Sequence, residues 1–103
     1  MRHRDNESIE FEWDEGNIDK NYKKHGVTPN ETEEVFLDEQ VIIVADIDHS
    51  QHEKRDIAIG QTLTKKMLCI VFTSRKEKIR IISARSANKK ERRIYESTVE
   101  THS

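Results

Sequence analysis

Two arginines in the stretch Lys78–Arg85 have the most distinctive chemistry in the chain. Arg80 lies between two isoleucines, and Arg85 ends the stretch. A guanidinium group is planar, permanently charged and able to bind a phosphate through two hydrogen bonds, so we predict that both arginines contact phosphate. In a regular strand, however, Arg80 points to one face, and Ser83 and Arg85 point to the other. The alternative is that each arginine forms an ion pair with a nearby glutamate, namely Glu53, Glu77 or Glu91.

Arg55 and His25 are the next candidates. Arg55 shares a strand face with Ile57 and Ile59, and if that face meets the last strand it adds a third cation to one cleft. The alternative for Arg55 is an edge charge that discourages aggregation. His25 is predicted to end a helix, and histidine is the usual proton-transfer group in phosphodiester cleavage because it titrates near neutral pH. The alternative for His25 is a bond to a terminal helix carbonyl.

His49 and His52 lie close to three carboxylates within Asp46–Glu53. Such a group is able to bind a divalent metal ion, but no helix or strand spacing enforces the geometry. A turn capped by aspartate is therefore the preferred interpretation. The sequence shows no glycine-rich phosphate loop, no zinc-ligand spacing and no nucleophile motif around its serine, threonine or cysteine residues. We expect no metal site and no cofactor.

Basic residues are concentrated in one part of the chain. The 103 residues include 18 Lys or Arg and 20 Asp or Glu, with a formal net charge of −2. Between Arg75 and Arg93, however, nine residues are basic and two are acidic. A basic stripe on an otherwise acidic protein indicates a polyanionic partner such as nucleic acid. The alternative is a set of ordinary solvated faces.

Length and composition exclude several classes of protein. The chain suits a single domain, residues 1–103. Its longest apolar run, Met67–Phe72, is far shorter than a membrane span, and its first residues lack the apolar region of a secretory signal. A single cysteine, Cys69, excludes an internal disulfide framework. We expect a cytoplasmic protein that makes no membrane contact.

The first elements are predicted from local patterns. Ile9–Trp13 alternates strictly and is typical of a half-buried strand. Asp14 is predicted to cap a helix that runs to His25, with Gly26 in the left-handed position that ends it. Ile18 and Tyr22, four residues apart, are predicted to share the inner face of this helix.

A second helix and four further strands follow. Thr28–Glu31 forms a capping box with proline at the first helical position, and the helix contributes Val35 and Phe36 to the core. The predicted strands are separated by short gaps, as in antiparallel hairpins. They are Gln40–Ala45, Lys54–Gln61, Lys66–Ser74 and Lys78–Arg85.

The last element is a short basic helix. Asn88 is predicted to cap it, Ile94 and Tyr95 to anchor it, and Glu96 to lie near its end, followed by a flexible tail over residues 97–103. The predicted fold class is α+β: two N-terminal helices and a C-terminal helix packed on a small, mainly antiparallel sheet. The predicted core spans about residues 9–96.

These motifs, taken in order, resemble the BrnT family of bacterial toxins. The resemblance runs from about Phe11 to Glu96. It is carried by Phe11–Asp14, Lys24–Val27, Glu34–Asp38, Asp46–His49, Arg55–Gly60, Val71–Thr73, Arg80–Arg85, Glu91–Arg93 and Tyr95–Glu96.

The resemblance implies a RelE-like fold and an endoribonuclease toxin that inhibits translation. It implies a BrnA-type ribbon-helix-helix antitoxin as partner, in a 2:2 heterotetramer that binds promoter DNA through the antitoxin. The catalytic positions it suggests are Lys24, His25, Arg55, Arg80 and Arg85. As the base we predict His25 or a neighbouring carboxylate, Glu53. The predicted RNA-binding positions are Thr73, Arg75, Ser83, Lys89 and Arg92.

Other readings of the same sequence remain open. One is a non-catalytic module that binds nucleic acid or an antitoxin and acts as a corepressor, or a toxin that has lost its activity. Another is a metal-assisted nuclease that uses His49 and His52. The acidic residues around the second helix are predicted either to meet a basic patch on the antitoxin or to form a solvated face. They are Glu31, Glu33, Glu34, Asp38 and Glu39.

Overall fold

A computed structural model describes residues 10–13, 15–47 and 54–102 of the chain. Five strands and three helices lie in these ranges. In chain order they are β1 (Glu10–Glu12), α1 (Glu15–His25), α2 (Pro29–Val35), β2 (Ile42–Ala45), β3 (Asp56–Gln61), β4 (Met67–Arg75), β5 (Lys78–Ser86) and α3 (Lys89–His102). No helix in these ranges has both the length and the apolar character needed to cross a membrane.

The five strands form one mixed sheet in the order β1-β5-β4-β3-β2. Strands β2 to β5 form an antiparallel meander, as their short connections predict. Strand β1 adds to the edge of β5 in the parallel direction. The α+β class and the mainly antiparallel sheet are therefore confirmed, with one parallel pair that the sequence did not predict.

Each face of the sheet carries its own apolar cluster. The α2 face holds the larger core, in which Leu68, Ile70 and Ile81 are fully buried. The opposite face, here called the α3 face, packs Ile59 and Met67 against the C-terminal helix. Both faces of β4 are apolar, so each requires a cover, and the two clusters provide it.

Helix α1 lies beside β5, where β1 has ended. The Asn17 side chain donates to the Ile81 carbonyl oxygen at 3.5 Å, and Asn21 accepts from the Ala84 amide at 3.4 Å. Asn21 is 5% exposed, whereas Tyr22 is 59% exposed. The prediction that Tyr22 faces inwards is wrong, because this helix covers a polar strand edge and not an apolar core.

The capping box that begins α2 is confirmed. The Thr28 hydroxyl accepts from the Glu31 amide at 3.2 Å, and the Glu31 carboxylate accepts from the Thr28 amide at 3.0 Å. At its other end, α2 buries Val35 completely against the sheet. Gly26, which joins the two helices, has a φ of +67°, as its predicted role as the end of the first helix requires.

Helix α3 is longer than predicted. Asn88 caps it as expected, since its side chain accepts from the Glu91 amide at 2.8 Å. Tyr95 is buried, but Ile94 is 40% exposed, so only one of the two predicted anchors faces the sheet. The helix continues to His102 because Val99, one turn after Tyr95, packs on the same apolar cluster. The predicted end near Glu96 is therefore wrong.

Candidate active site

A register shift in β5 brings the predicted site residues onto one face. Val71 of β4 pairs with Ser83, but the next residue, Phe72, pairs with Ile81. Ile82 is therefore an extra residue in β5, and side chains on its two sides change parity. The prediction that Arg80 points away from Ser83 and Arg85 is wrong for this reason. All three lie on the α3 face.

Three of the predicted positions and Glu12 form a row across the sheet, here called the cross-strand row. Thr73 pairs with Arg80, and Arg80 pairs with Glu12 of β1. Asp56 of β3 pairs with Phe72 of β4, so the preceding residue, Arg55, lies beside the next residue of β4, Thr73. Paired residues share a face, so Arg55 and Arg80 lie two strand spacings apart on the same side, about 10 Å between Cα atoms. Strand β4 lies between Arg55 and the last strand, so Arg55 shares a face with Arg80 but does not adjoin β5.

A hollow of about 410 Å³ lies at the β1 end of this row. Its lining includes Glu12, Trp13, Arg75 and Arg80. The Trp13 indole is held in place, since its N–H donates to the Glu33 carboxylate at 3.1 Å. Arg75 and Arg80 are exposed, and within the described part of the chain no ion pair engages Arg80. The hollow therefore presents two guanidinium groups, one carboxylate and an aromatic ring.

Thr73 supports this row and is itself withdrawn from solvent. Its side chain is buried at 3% exposure, and its hydroxyl donates to the Lys54 carbonyl oxygen at 2.8 Å. The bond ties the beginning of β3, and with it Arg55, to β4. Thr73 was predicted to bind RNA, but the structure gives its hydroxyl an internal partner. Ser83 is half-buried on the same face.

Arg85 is bound within the protein. Its guanidinium forms two hydrogen bonds with the Glu91 carboxylate, at 2.9 and 2.8 Å, and a third with the Ser86 carbonyl oxygen. This bond to Arg85 holds the pKa of Glu91 below its usual value, with a further contribution from the Asn88 amide. Of the two alternatives for Arg85, the structure matches the ion pair with a glutamate.

Cys69 lies beneath this ion pair and is unsuited to nucleophilic chemistry. It pairs with Arg85 in the sheet and is 1% exposed. Burial raises the pKa of its thiol to about 12. The thiol is therefore protonated at neutral pH, in agreement with the absence of a nucleophile motif.

Lys24 and His25 lie away from the cross-strand row. Helix α1 begins beside the hollow and runs along β5 for 11 residues, so its last residue is about 15 Å from its first. Lys24 lines a different depression, along α1, which contains Lys20 and Lys23. This depression shares no described lining residue with the hollow around Arg80.

The remaining predicted residues are divided between α3 and the undescribed segment. Lys89 and Arg92 are exposed in the first turns of α3. Glu53, His49 and His52 lie outside the described residues. Among the residues that are described, no three metal-ligating side chains come together.

Glu12 and Trp13 are site residues that the sequence reasoning missed. Both appear in the motif Phe11–Asp14, but the alternation of glutamate with apolar residues indicated only a strand. The missing information was the pairing of β1 with β5, which places Glu12 opposite Arg80 and which the local pattern does not specify.

Fold and site together define a small α+β protein. Helix α3 covers only part of one face of its sheet, and the uncovered part is basic, as in proteins that bind polyanions. The family model described as the ribonuclease toxin BrnT of type II toxin-antitoxin systems matches residues 13–91. This chain belongs to the BrnT family. Membership implies an RNA substrate and an antitoxin partner.

A solved structure supports the same fold. The crystal structure of the Brucella abortus ribonuclease toxin BrnT superimposes with a TM-score of 0.62 and 24% sequence identity. The match covers 79% of this chain and 99% of the Brucella chain. No curated protein matches the chain.

Proposed function

We propose that this chain is a metal-independent endoribonuclease toxin and that the cross-strand row, with its hollow, is the catalytic surface. The observation that supports this proposal is the strand pairing that places Arg55, Arg80 and Glu12 on one face of the sheet. Cleavage of RNA then inhibits translation in the cytoplasm. A DNA-binding antitoxin neutralises the toxin, and the complex represses its own promoter.

The proposed chemistry is attack by the ribose 2′-hydroxyl on the adjacent phosphorus. A carboxylate takes the 2′-hydroxyl proton as the new O–P bond forms. The bond from phosphorus to the 5′-oxygen then breaks, and that oxygen gains a proton. The products are a 2′,3′-cyclic phosphate and a free 5′-hydroxyl, and no metal ion is needed.

Each residue of the surface has a proposed role. Arg80 and Arg55 hold the phosphate and stabilise the extra negative charge of the phosphorane, where fixed donors have their greatest effect. Glu12 is the proposed base, and it replaces His25 because it lines the same hollow as Arg80. Glu53, which precedes the Lys54–Arg55 pair, stays an alternative base. Trp13 offers a flat surface for a nucleotide base.

The test is cleavage of a short RNA under single-turnover conditions in the presence of a chelator. Arg80→Ala is expected to slow cleavage about 10²–10³-fold, as loss of one donor to a developing oxyanion does in other enzymes. Glu12→Gln is expected to reduce the rate of cleavage, because an amide cannot take up the 2′-hydroxyl proton. Arg93→Ala, an exposed arginine on α3, is the matched control and is expected to retain the wild-type rate.

Three outcomes would contradict the proposal. Cleavage that stops when a chelator is added would support the metal-assisted alternative. Undiminished cleavage by a folded Arg80→Ala variant would remove this face from the site. Binding of RNA by the wild type with no product carrying a cyclic phosphate would support the non-catalytic corepressor.

A further inference from the structure

The two outer edges of the sheet are protected very differently. Strand β1 is short and carries Glu10 and Glu12, and charged short strands discourage unwanted pairing. Beyond β1, the exposed edge of β5 is covered by α1 through Asn17 and Asn21. At the opposite edge, no described strand or helix pairs with the outer side of β2.

Strand β2, although also short, carries neither a charge nor a proline, the side chains that usually protect an edge strand. Its sequence, Ile-Ile-Val-Ala, contains no charge and no proline. Ile43 is 49% exposed and Val44, on the other face, is 43% exposed, while Ile47 just beyond the strand is 82% exposed. An uncharged apolar edge of this kind is a template for an added strand.

The backbone of β2 also presents free hydrogen-bonding groups at this edge. The Asp46 amide donates to the Arg55 carbonyl oxygen at 2.9 Å, so Asp46 is a position that bonds to the β3 side. In an antiparallel pair, bonded and non-bonded positions alternate. The N–H and C=O groups of Ile43 and Ala45 therefore point away from β3 and towards the outer edge.

We propose that β2 receives an extended segment of the antitoxin as a sixth strand. This inference rests on the proposed function, since it assigns a docking site to the partner of the toxin. The segment is apolar at its centre on both faces, because it lies beside Ile43 and Val44. Main-chain hydrogen bonds to Ile43 and Ala45 supply the register, as in other cases of strand addition.

The acidic surface at the N-terminal end of β2 favours basic residues next to the apolar centre of the incoming segment. A hollow of about 570 Å³ opens beside Gln40, and its lining includes Asp38, Glu96 and Glu100 but one lysine, Lys65. The same lining contains apolar Met67 and Val99. An arginine or lysine that follows the apolar centre of the incoming segment meets complementary charge here.

A second copy of the chain suits this edge less well. Antiparallel pairing of two β2 strands places the Asp38–Gln40 end of one copy beside Asp46 of the other copy. Both ends are acidic, and like charges across a strand pair are destabilising. Charge complementarity therefore favours a segment with basic flanks over self-association.

The test is calorimetric titration with the antitoxin encoded by the neighbouring gene. Ile43→Lys and Ala45→Pro are expected to weaken binding at least about tenfold, since the first places a charge at the edge and the second removes an outward N–H. Neither change removes a hydrogen bond to β3. Leu63→Lys is the matched control, because Leu63 is 77% exposed in the β3–β4 turn, and it is expected to bind as the wild type does.

Hydrogen exchange in the wild-type complex provides a second measurement that requires no variant. The amides of Ile43 and Ala45 are expected to become protected when the antitoxin binds, whereas the amide of Leu63 is expected to be unchanged. Unchanged exchange at Ile43 and Ala45 would overturn the proposal. Equal affinity of Ile43→Lys and the wild type for the antitoxin would also overturn it.

Two further results separate this inference from its alternatives. If the wild type alone is a dimer that Ile43→Lys converts to a monomer, the edge serves a second copy and the proposal is wrong. RNA cleavage by free Ile43→Lys is expected to equal that of the wild type. If no protein cleaves RNA but the edge variants still lose the antitoxin, the proposed function fails and the docking site stands.

Discussion

At the scale of single residues, the structure separates arginines that hold the fold from arginines that face solvent. Arg85 is bound by Glu91 through two short bonds, whereas Arg80 lines a hollow. The sequence identified both as unusual but did not distinguish them, because an arginine's partner depends on how a later helix returns to the sheet. Here α3 carries Glu91 back over Arg85, and Asn88 fixes the same carboxylate through its amide.

The ion pair between Arg85 and Glu91 predicts a dependence of stability on pH. Because the pKa of Glu91 is lowered in the folded protein, its contribution is present above the ordinary carboxyl value of about 4.3 and is lost as pH falls below it. Glu91→Gln is expected to lower the free energy of unfolding by about 1–2 kcal/mol at pH 7, after allowance for solvent screening. Urea unfolding at pH 7 and pH 3 measures the difference, which should shrink at the lower pH.

Glu96→Gln, an exposed carboxylate on the same helix, is the control for this experiment and is expected to change little at either pH. A loss of stability for Glu91→Gln that is equal at both pH values would show that the ion pair contributes nothing through its charge.

At the scale of elements, local signals were reliable where the determining contacts are local. The capping boxes at Thr28 and Asn88 and the hairpins among β2 to β5 were all predicted from neighbouring residues. The parallel pairing of β1 and the inner face of α1 were not, because both depend on a strand edge formed about 65 residues later. The acidic cluster around α2 shows the same limit. Glu33 and Glu34 bind Trp13 and the Leu63 amide within the protein.

The contact between α2 and β3 predicts a sharp response to one added methyl group. A Cβ atom at Gly60 would lie 3.1 Å from Val35 Cγ1 and 3.2 Å from Asp38 Oδ2. Gly60→Ala is therefore expected to destabilise the protein by about 1–3 kcal/mol through overpacking, measured by urea unfolding. In the double variant with Val35→Ala, the two losses are expected to sum to less than their separate values. Strict additivity would show that the helix does not press on this strand.

At the scale of the whole molecule, residues that are close in the sequence do not all contribute their charge to the same surface. The basic run identified between Arg75 and Arg93 splits into an open strand surface and the exposed side of α3. The formal net charge of −2 therefore conceals a basic face. Composition predicted a polyanionic partner, but the face that meets it depends on how β5 pairs with β4 and β1, which no periodic pattern predicts.

This division predicts which basic residues contribute to RNA affinity. The test uses a non-cleavable RNA that carries 2′-O-methyl groups. For the wild type, the logarithm of the binding constant is expected to fall linearly with the logarithm of the salt concentration. Replacing Arg75 and Arg80 together by glutamine is expected to reduce that slope by about 1.4, at about 0.7 per lost phosphate contact. The same change at Lys20 and Lys23 of α1 is the control and is expected to leave the slope unchanged. Equal effects of the two pairs would contradict a localised binding face.

The extra residue in β5 has a consequence for how such proteins are compared and redesigned. In an ordinary strand, two side chains on one side are separated by an even number of positions. Here Arg80 and Ser83 are three positions apart and still share a side. A template that assumes even spacing would discard this pairing, whereas deletion of Ile82 would restore regular spacing and leave Arg80 opposite Thr73.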